Sequence, residues 1–150
     1  MRFPLSVPRW YRRERYARPS PICGERPAAE IPAYLLASDA LVSPRSRGTN
    51  TPLKIYQYLR SGKPIVATRL LTHTQVLSDQ TAILTDASPP AFANGILQAL
   101  NDPRRSAELG RNAHTLAETK YSYEAYLERT RRACGALAPD APLAPVKDVA

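Results

Sequence analysis

Short apolar runs that alternate with amphipathic segments predict an α/β protein built on a doubly wound parallel sheet. Three observations carry that reading. Pro64-Ile65-Val66-Ala67-Thr68 is apolar on both faces, which suits a strand covered by helices on two sides. Ala40-Leu41-Val42-Ser43 and Thr81-Ala82-Ile83-Leu84-Thr85 are apolar runs of similar length. A polar loop from Pro44 to Thr51 links the first of these runs to a helical pattern, and ligands of such folds bind where strands end and helices begin.

The elements follow in order. Residues 1–21 mix Arg, Pro, Tyr and one Trp with no period of 2 or 3.6, and are read as an irregular basic segment that is not native domain sequence. Ile31 to Ser38 reads as a helix with Pro32 near its start, and residues 40–43 as a strand closed by Pro44. A helix then starts at Thr51, the expected N-cap, with Pro52 in the first helical position and Gly62 and Pro64 as the stop. Residues 64–68 form the second strand, Leu70–Thr74 a loop with a short turn near Val76, and residues 81–85 the third strand. Phe92, Ile96, Leu97 and Leu100 mark one helix, ended by Asn101-Asp102-Pro103. Leu109, Ala113 and Leu116 mark another, and Tyr123, Tyr126, Leu127 and Thr130 a last one. Residues 135–150 are a Pro/Ala-rich tail with no core to join and are expected to be disordered.

Charge bounds the function. The net charge is +8; the first thirty residues carry seven Arg and three Glu, hence +4, and the remaining 120 also carry +4. The basic start could stack and neutralise nucleic acid through Trp10-Tyr11-Arg12-Arg13-Glu14-Arg15-Tyr16-Ala17-Arg18, but as a helix it scatters its aromatics all round, so no specific nucleic-acid partner is expected. No apolar run is long enough to span a membrane, which leaves peripheral membrane contact open, and Met1–Pro8 is too short and Pro-rich for a signal peptide. Cys23 and Cys134 have no partner spacing, so a cytoplasmic, reducing location is expected. His73 and His114 have no metal-ligand spacing; no metal or cofactor is called for.

The chemistry concentrates between Pro44 and Gln57. Helix starts favour acids, because the unpaired N–H groups and the dipole make that end positive. Here Lys54 lies in the first turn, Arg45 and Arg47 precede it, and no acid lies between Asp39 and Asp79. That pattern asks for a bound phosphate or diphosphate. Thr49, Asn50, Thr51, Pro52 and Leu53 would offer hydroxyl, amide and backbone groups, with Lys54 as the counter-charge and Gln57 one turn further in toward a ribose or sugar hydroxyl. Arg47, Gly48, His73 and Gln75 are further candidates in the same loops. Ser61-Gly62-Lys63-Pro64 is not a P-loop: the earlier glycine would fall at Gln57, and Pro64 replaces the magnesium-binding hydroxyl. No catalytic residue is assigned.

An ordered series of segments resembles the C-terminal domain of family 4 retaining glycosyltransferases of the GT-B fold, the glycosyl transferases group 1. The segments are Gly24-Glu25-Arg26-Pro27, Ile31-Pro32-Ala33-Tyr34-Leu35, Ala37 to Pro44, Thr51 to Leu59, Ser61 to Thr68, Asp102-Pro103, Leu109-Gly110 and Tyr121-Ser122-Tyr123. The resemblance implies an incomplete Rossmann-like domain over residues 22–134 with helices on both faces. It implies a nucleotide-diphosphate sugar as donor, an acceptor hydroxyl and retention of anomeric configuration. Family acids fall at Thr49, Gln57 and Gln75, and all three are absent here. Family members are more than twice this length, so the resemblance also implies a fragment that does not catalyse alone, its first strand open at one edge. It would then await a missing N-terminal part or a partner chain, or serve as a non-catalytic nucleotide-binding relic.

Overall fold

The computed structural model describes residues 24–137; the expectations for the basic segment 1–21 and for residues 138–150 of the tail lie outside them. A 3₁₀ turn, Ala28–Glu30, leads into α1 (Ile31–Ala37) and β1 (Leu41–Ser43). There follow α2 (Lys54–Ser61), β2 (Ile65–Thr68), α3 (Leu71–Thr74), β3 (Ile83–Thr85), α4 (Pro89–Asn101), α5 (Pro103–Lys120) and α6 (Tyr123–Leu137).

The three strands form one parallel sheet in the order β1-β2-β3. Each begins later than the apolar runs suggest. Pro64 has no N–H to give a ladder, and its carbonyl instead accepts from the Leu41 amide at 2.9 Å. Thr81 and Ala82 are held in a turn, both amides donating to the Ser78 carbonyl while the Ser78 amide donates to Thr81 Oγ1.

Alternation along β2 divides the core. Ile65 and Ala67 face α2 and α5 and pack with Ile55, Leu59, Leu77, Ala82, Ala113 and Ala117. Val66 faces the other way, with Ile83, Ala99 and Leu109, under α4. The contact between α2 and α5 is close: a Cβ on Gly110 would stand 2.0 Å from the Gly62 carbonyl oxygen, so α5 can carry no side chain there. The buried Ser106 hydroxyl ties α5 to α4 by donating to the Ala99 carbonyl at 2.7 Å.

Three expectations need correction. Thr51 is not the N-cap of α2 and Pro52 is not in its first turn, because the helix begins at Lys54 after two tight turns, Ile55 N–H to Pro52 O and Tyr56 N–H to Leu53 O. Leu70–Thr74 is not a loop: it folds as α3, whose turn is drawn inward by the burial of Thr72 and His73. The tail begins later than residue 135, because α6 continues to Leu137.

Candidate functional site

The site lies where β1 and β2 end. Ser43 and Thr68 are the last residues of those strands, and both are buried. They bracket His73, which is fully buried on α3. His73 Nδ1 lies 2.7 Å from the Thr68 carbonyl and 3.2 Å from Thr68 Oγ1, and Nε2 lies 3.0 Å from Ser43 Oγ. A carbonyl can only accept, so Nδ1 carries a proton, and a pKa below the ordinary histidine value favours the neutral ring in which Nε2 accepts from the serine. Burial pushes its pKa below the ordinary histidine value, and the Arg45 and Lys54 cations push the same way, against the raising effect of the Thr68 hydrogen bond. His73, a candidate ligand contact by sequence, is thus the pin that fastens α3 under the strand ends.

Above this base runs the loop 44–53. Gly48 turns it with φ of +130°, a conformation open to glycine, and a Cβ there would crowd the Arg45 guanidinium at 3.0 Å and Thr72 at 3.4 Å. The Arg45 amide donates to Thr68 Oγ1 at 3.2 Å, and its guanidinium to the Asn50 carbonyl at 3.2 Å. Thr51 Oγ1 donates to Gln75 Oε1 at 2.9 Å, and Gln75 Nε2 to the Thr49 carbonyl at 3.5 Å. Thr72 lies beneath the loop, its hydroxyl buried and without a hydrogen-bond partner among the described residues.

Lys54, at the start of α2, reaches back toward β1: Nζ lies 3.4 Å from the Val42 carbonyl and 5.6 Å from the centre of the Tyr58 ring. The Tyr58 hydroxyl donates to the same carbonyl at 3.4 Å, and burial raises its pKa. The Lys54 pKa is lowered, first by burial and then by the positive charge of Arg45. Two cations therefore repel one another at a helix start that has no side-chain cap and no acid in its first turn. An anion between them would relieve both effects.

Of the sequence-predicted residues, Thr49, Asn50, Thr51, Pro52, Leu53 and Lys54 lie along this one loop and helix start. Gln75 joins them through its amide. Arg47 and Gln57 are exposed at its margins, and Leu53 is 83% exposed, a large apolar side chain facing solvent. Sequence reasoning passed over Ser43, Thr68 and Tyr58, and used Arg45 only as a charge. The available signal for the first two was a hydroxyl residue ending each apolar run. Among the described residues no group of three or more His, Cys, Asp or Glu is placed to hold a metal ion, and no helix is long and apolar enough to cross a membrane.

The family model described as glycosyl transferases group 1 matches residues 9–102. The chain belongs to that family. The match begins within the basic segment that the sequence reading set outside the family, and it ends at the cap of α5. No curated protein matches. Among solved structures, a sucrose-phosphate synthase from Thermosynechococcus elongatus is 22% identical with a TM-score of 0.64, over 73% of this chain and 28% of that one. Anabaena Alr3699/HepE, solved in complex with UDP, is 19% identical with a TM-score of 0.67, over 72% of this chain and 30% of its own. The C-terminal domain of a glycosyl transferase group 1 protein (LpcC) from Francisella tularensis is 20% identical with a TM-score of 0.58, over 65% and 50%. These likenesses establish the Rossmann-like fold, and the chain spans less than a third of the first two relatives' length.

Proposed function

We propose that residues 44–57 are the diphosphate and ribose contacts of a nucleotide-diphosphate sugar donor site, within a family 4 retaining glycosyltransferase of GT-B architecture. The observation that carries this reading is the gathering of Arg45 and Lys54 at a start of α2 with no side-chain cap and no acid in its first turn, where a diphosphate supplies the missing negative charge. Thr49 and Asn50 would offer hydroxyl and amide groups and Thr51 its backbone N–H, while Gln57, one turn into α2, would serve a ribose or sugar hydroxyl. Anabaena HepE, which shares the fold, was solved with UDP and with UDP-glucose, which supports a uridine nucleotide as the first probe.

In the complete enzyme the donor's sugar passes to an acceptor hydroxyl while the nucleoside diphosphate departs. Charge builds on the leaving diphosphate as the glycosidic bond breaks. Lys54 and Arg45 meet that charge in place, which lowers the barrier without reorganisation. The acids that the family carries at the positions of Thr49, Gln57 and Gln75 are replaced here by neutral groups, so hydroxyl recognition rests on neutral hydrogen bonds.

A second reading, a nucleotide-binding subunit that completes its sheet with a partner chain, is favoured by β1. β1 is an end strand among the described residues, and its Val42 is 38% exposed on the α4 side. Isothermal titration with UDP separates these readings from a structural role for the loop. Wild type should bind saturably and Lys54→Ala should weaken binding about tenfold, the loss of one charge-assisted contact. Absence of UDP binding, or equal binding by the variant, would remove the donor-site reading. Turnover of UDP-glucose only after a second chain is added would favour the subunit reading.

A further inference from the structure

Gln75 does more than stand beside the loop. Its carboxamide accepts from Thr51 Oγ1 at 2.9 Å and donates to the Thr49 carbonyl at 3.5 Å, so both halves of the amide are engaged on the same tripeptide. The residue between is held from another side, since the Arg45 guanidinium donates to the Asn50 carbonyl at 3.2 Å. Two successive carbonyls of the loop, Thr49 and Asn50, are thus each bound by a side chain.

A trans peptide is planar, with its C=O and N–H pointing in opposite directions. Fixing the Thr49 carbonyl toward Gln75 therefore turns the Asn50 N–H away from Gln75. Fixing the Asn50 carbonyl toward Arg45 turns the Thr51 N–H away from the guanidinium. Both N–H groups are thereby turned from these two side chains, and backbone N–H groups that a loop presents outward can bind phosphate oxygens. Lys54 follows within one helical turn.

We propose that Gln75 is a positioning residue that sets the Thr49–Thr51 segment in its diphosphate-binding form, and that it acts through the loop and not by touching the sugar. The inference rests on the donor-site reading above. It also explains why an amide, and not a carboxylate, suits this chain. A glutamate in the same place could still accept from Thr51, but it could not donate to the Thr49 carbonyl, and it would set a negative charge beside the phosphates. His73 supports the same device from below: pinned by Thr68 and Ser43, it fixes α3 two residues before Gln75.

The test compares two ligands on the 150-residue chain, UDP and UDP-glucose, by isothermal titration with wild type, Gln75→Ala, Gln75→Glu, Thr51→Val and the Gln75→Ala/Thr51→Val double variant. Gln75→Ala should weaken both ligands by the same factor, about fivefold, the worth of one or two neutral hydrogen bonds. The double variant should be no weaker than Gln75→Ala, because the two side chains act as one unit. Gln75→Glu, equal in size, should bind less than Gln75→Ala; a packing role would leave it like wild type. Loss confined to UDP-glucose would overturn the proposal and make Gln75 a direct sugar contact.

Backbone ¹⁵N order parameters of residues 49–52 without ligand provide the independent arm. The wild-type loop should be near the rigid value of about 0.85 and Gln75→Ala should fall toward about 0.6. Equal values in the two proteins would sink the positioning role whatever the titrations show. If wild type binds neither ligand while the order parameters differ, the donor-site reading falls and the clamp stands as a loop-ordering device alone.

Discussion

Helices α2 and α4 both follow a strand of the sheet, yet their N-termini are finished in opposite ways. At α4, Ser88 Oγ accepts from the Ala91 amide, and Pro89 and Pro90 remove the need for further partners by lacking N–H groups. The next helix, α5, is closed in the same manner by Asp102, whose carboxylate accepts from the Arg105 amide at 2.9 Å. At α2 the available hydroxyl, Thr51, turns away to Gln75, no acid enters the first turn, and two cations gather there. Local physics would close α2 as cheaply as it closes α4 and α5. The difference is the one the proposed donor site requires: the start of α2 lacks a side-chain cap, whereas the other two are closed by their own side chains.

Removing the base beneath the α2 loop should have the largest effect. His73→Ala should cost about 3 kcal/mol of unfolding free energy in a denaturant melt, since it leaves a cavity and takes the histidine partner from the buried Ser43 hydroxyl. A loss below roughly 0.5 kcal/mol would show that the pin is not structural. Next, Arg45→Ala/Lys54→Ala should weaken UDP roughly 100-fold, the loss of two charge-assisted contacts, with little change in stability. A variant that binds normally would erase the contrast between the two helix starts.

Two pH dependences sharpen it further. The folded His73 pKa is depressed, so the neutral ring's contribution to stability is present in full above the ordinary histidine value and is lost as pH falls through the lower folded value. Thermal melts from neutral to mildly acidic pH should show this loss in wild type and not in His73→Gln. Arg45 and Lys54 are the charged groups that act on the ring, and both disfavour a second cation there. The Lys54 pKa is likewise lowered, and a bound diphosphate favours the charged amine. UDP affinity should therefore decline at alkaline pH before an ordinary lysine would lose its proton, and Lys54→Arg should abolish the decline. Smallest of all, Asp102→Ala should cost about 1 kcal/mol as a true cap, while Thr51→Val should change stability by less than roughly 0.5 kcal/mol. Equal costs would mean that α2 is capped after all.

The sheet was legible because the strands are short apolar runs ended by residues with clear meaning, Pro64 before β2 and Pro44 after β1. An unpaired outer side of β1 was expected from the strand order that the resemblance implied, and among the described residues β1 is an end strand of the sheet. What the sequence misread is local. Thr51-Pro52 has the form of a cap followed by a first helical position, and nothing in the linear pattern reveals that Gln75, distant in sequence, takes the hydroxyl instead. His73 reads as a polar loop residue because its burial depends on two hydroxyls contributed by different strands. Charge asymmetry at residues 45–54 was visible without any structure, and it pointed to the loop and helix start on which the proposed site rests.

The most direct test of the central claim is a ¹H–¹⁵N chemical-shift map of the 150-residue chain titrated with UDP. The account predicts saturable shifts concentrated in the amides of residues 48–55 and at Gln75, displaced by inorganic pyrophosphate and absent in Arg45→Ala/Lys54→Ala. Shifts gathered instead around the apolar groove between Pro44, Phe92 and Ile96, on the α4 side of the sheet, would contradict it and move the ligand to the other face.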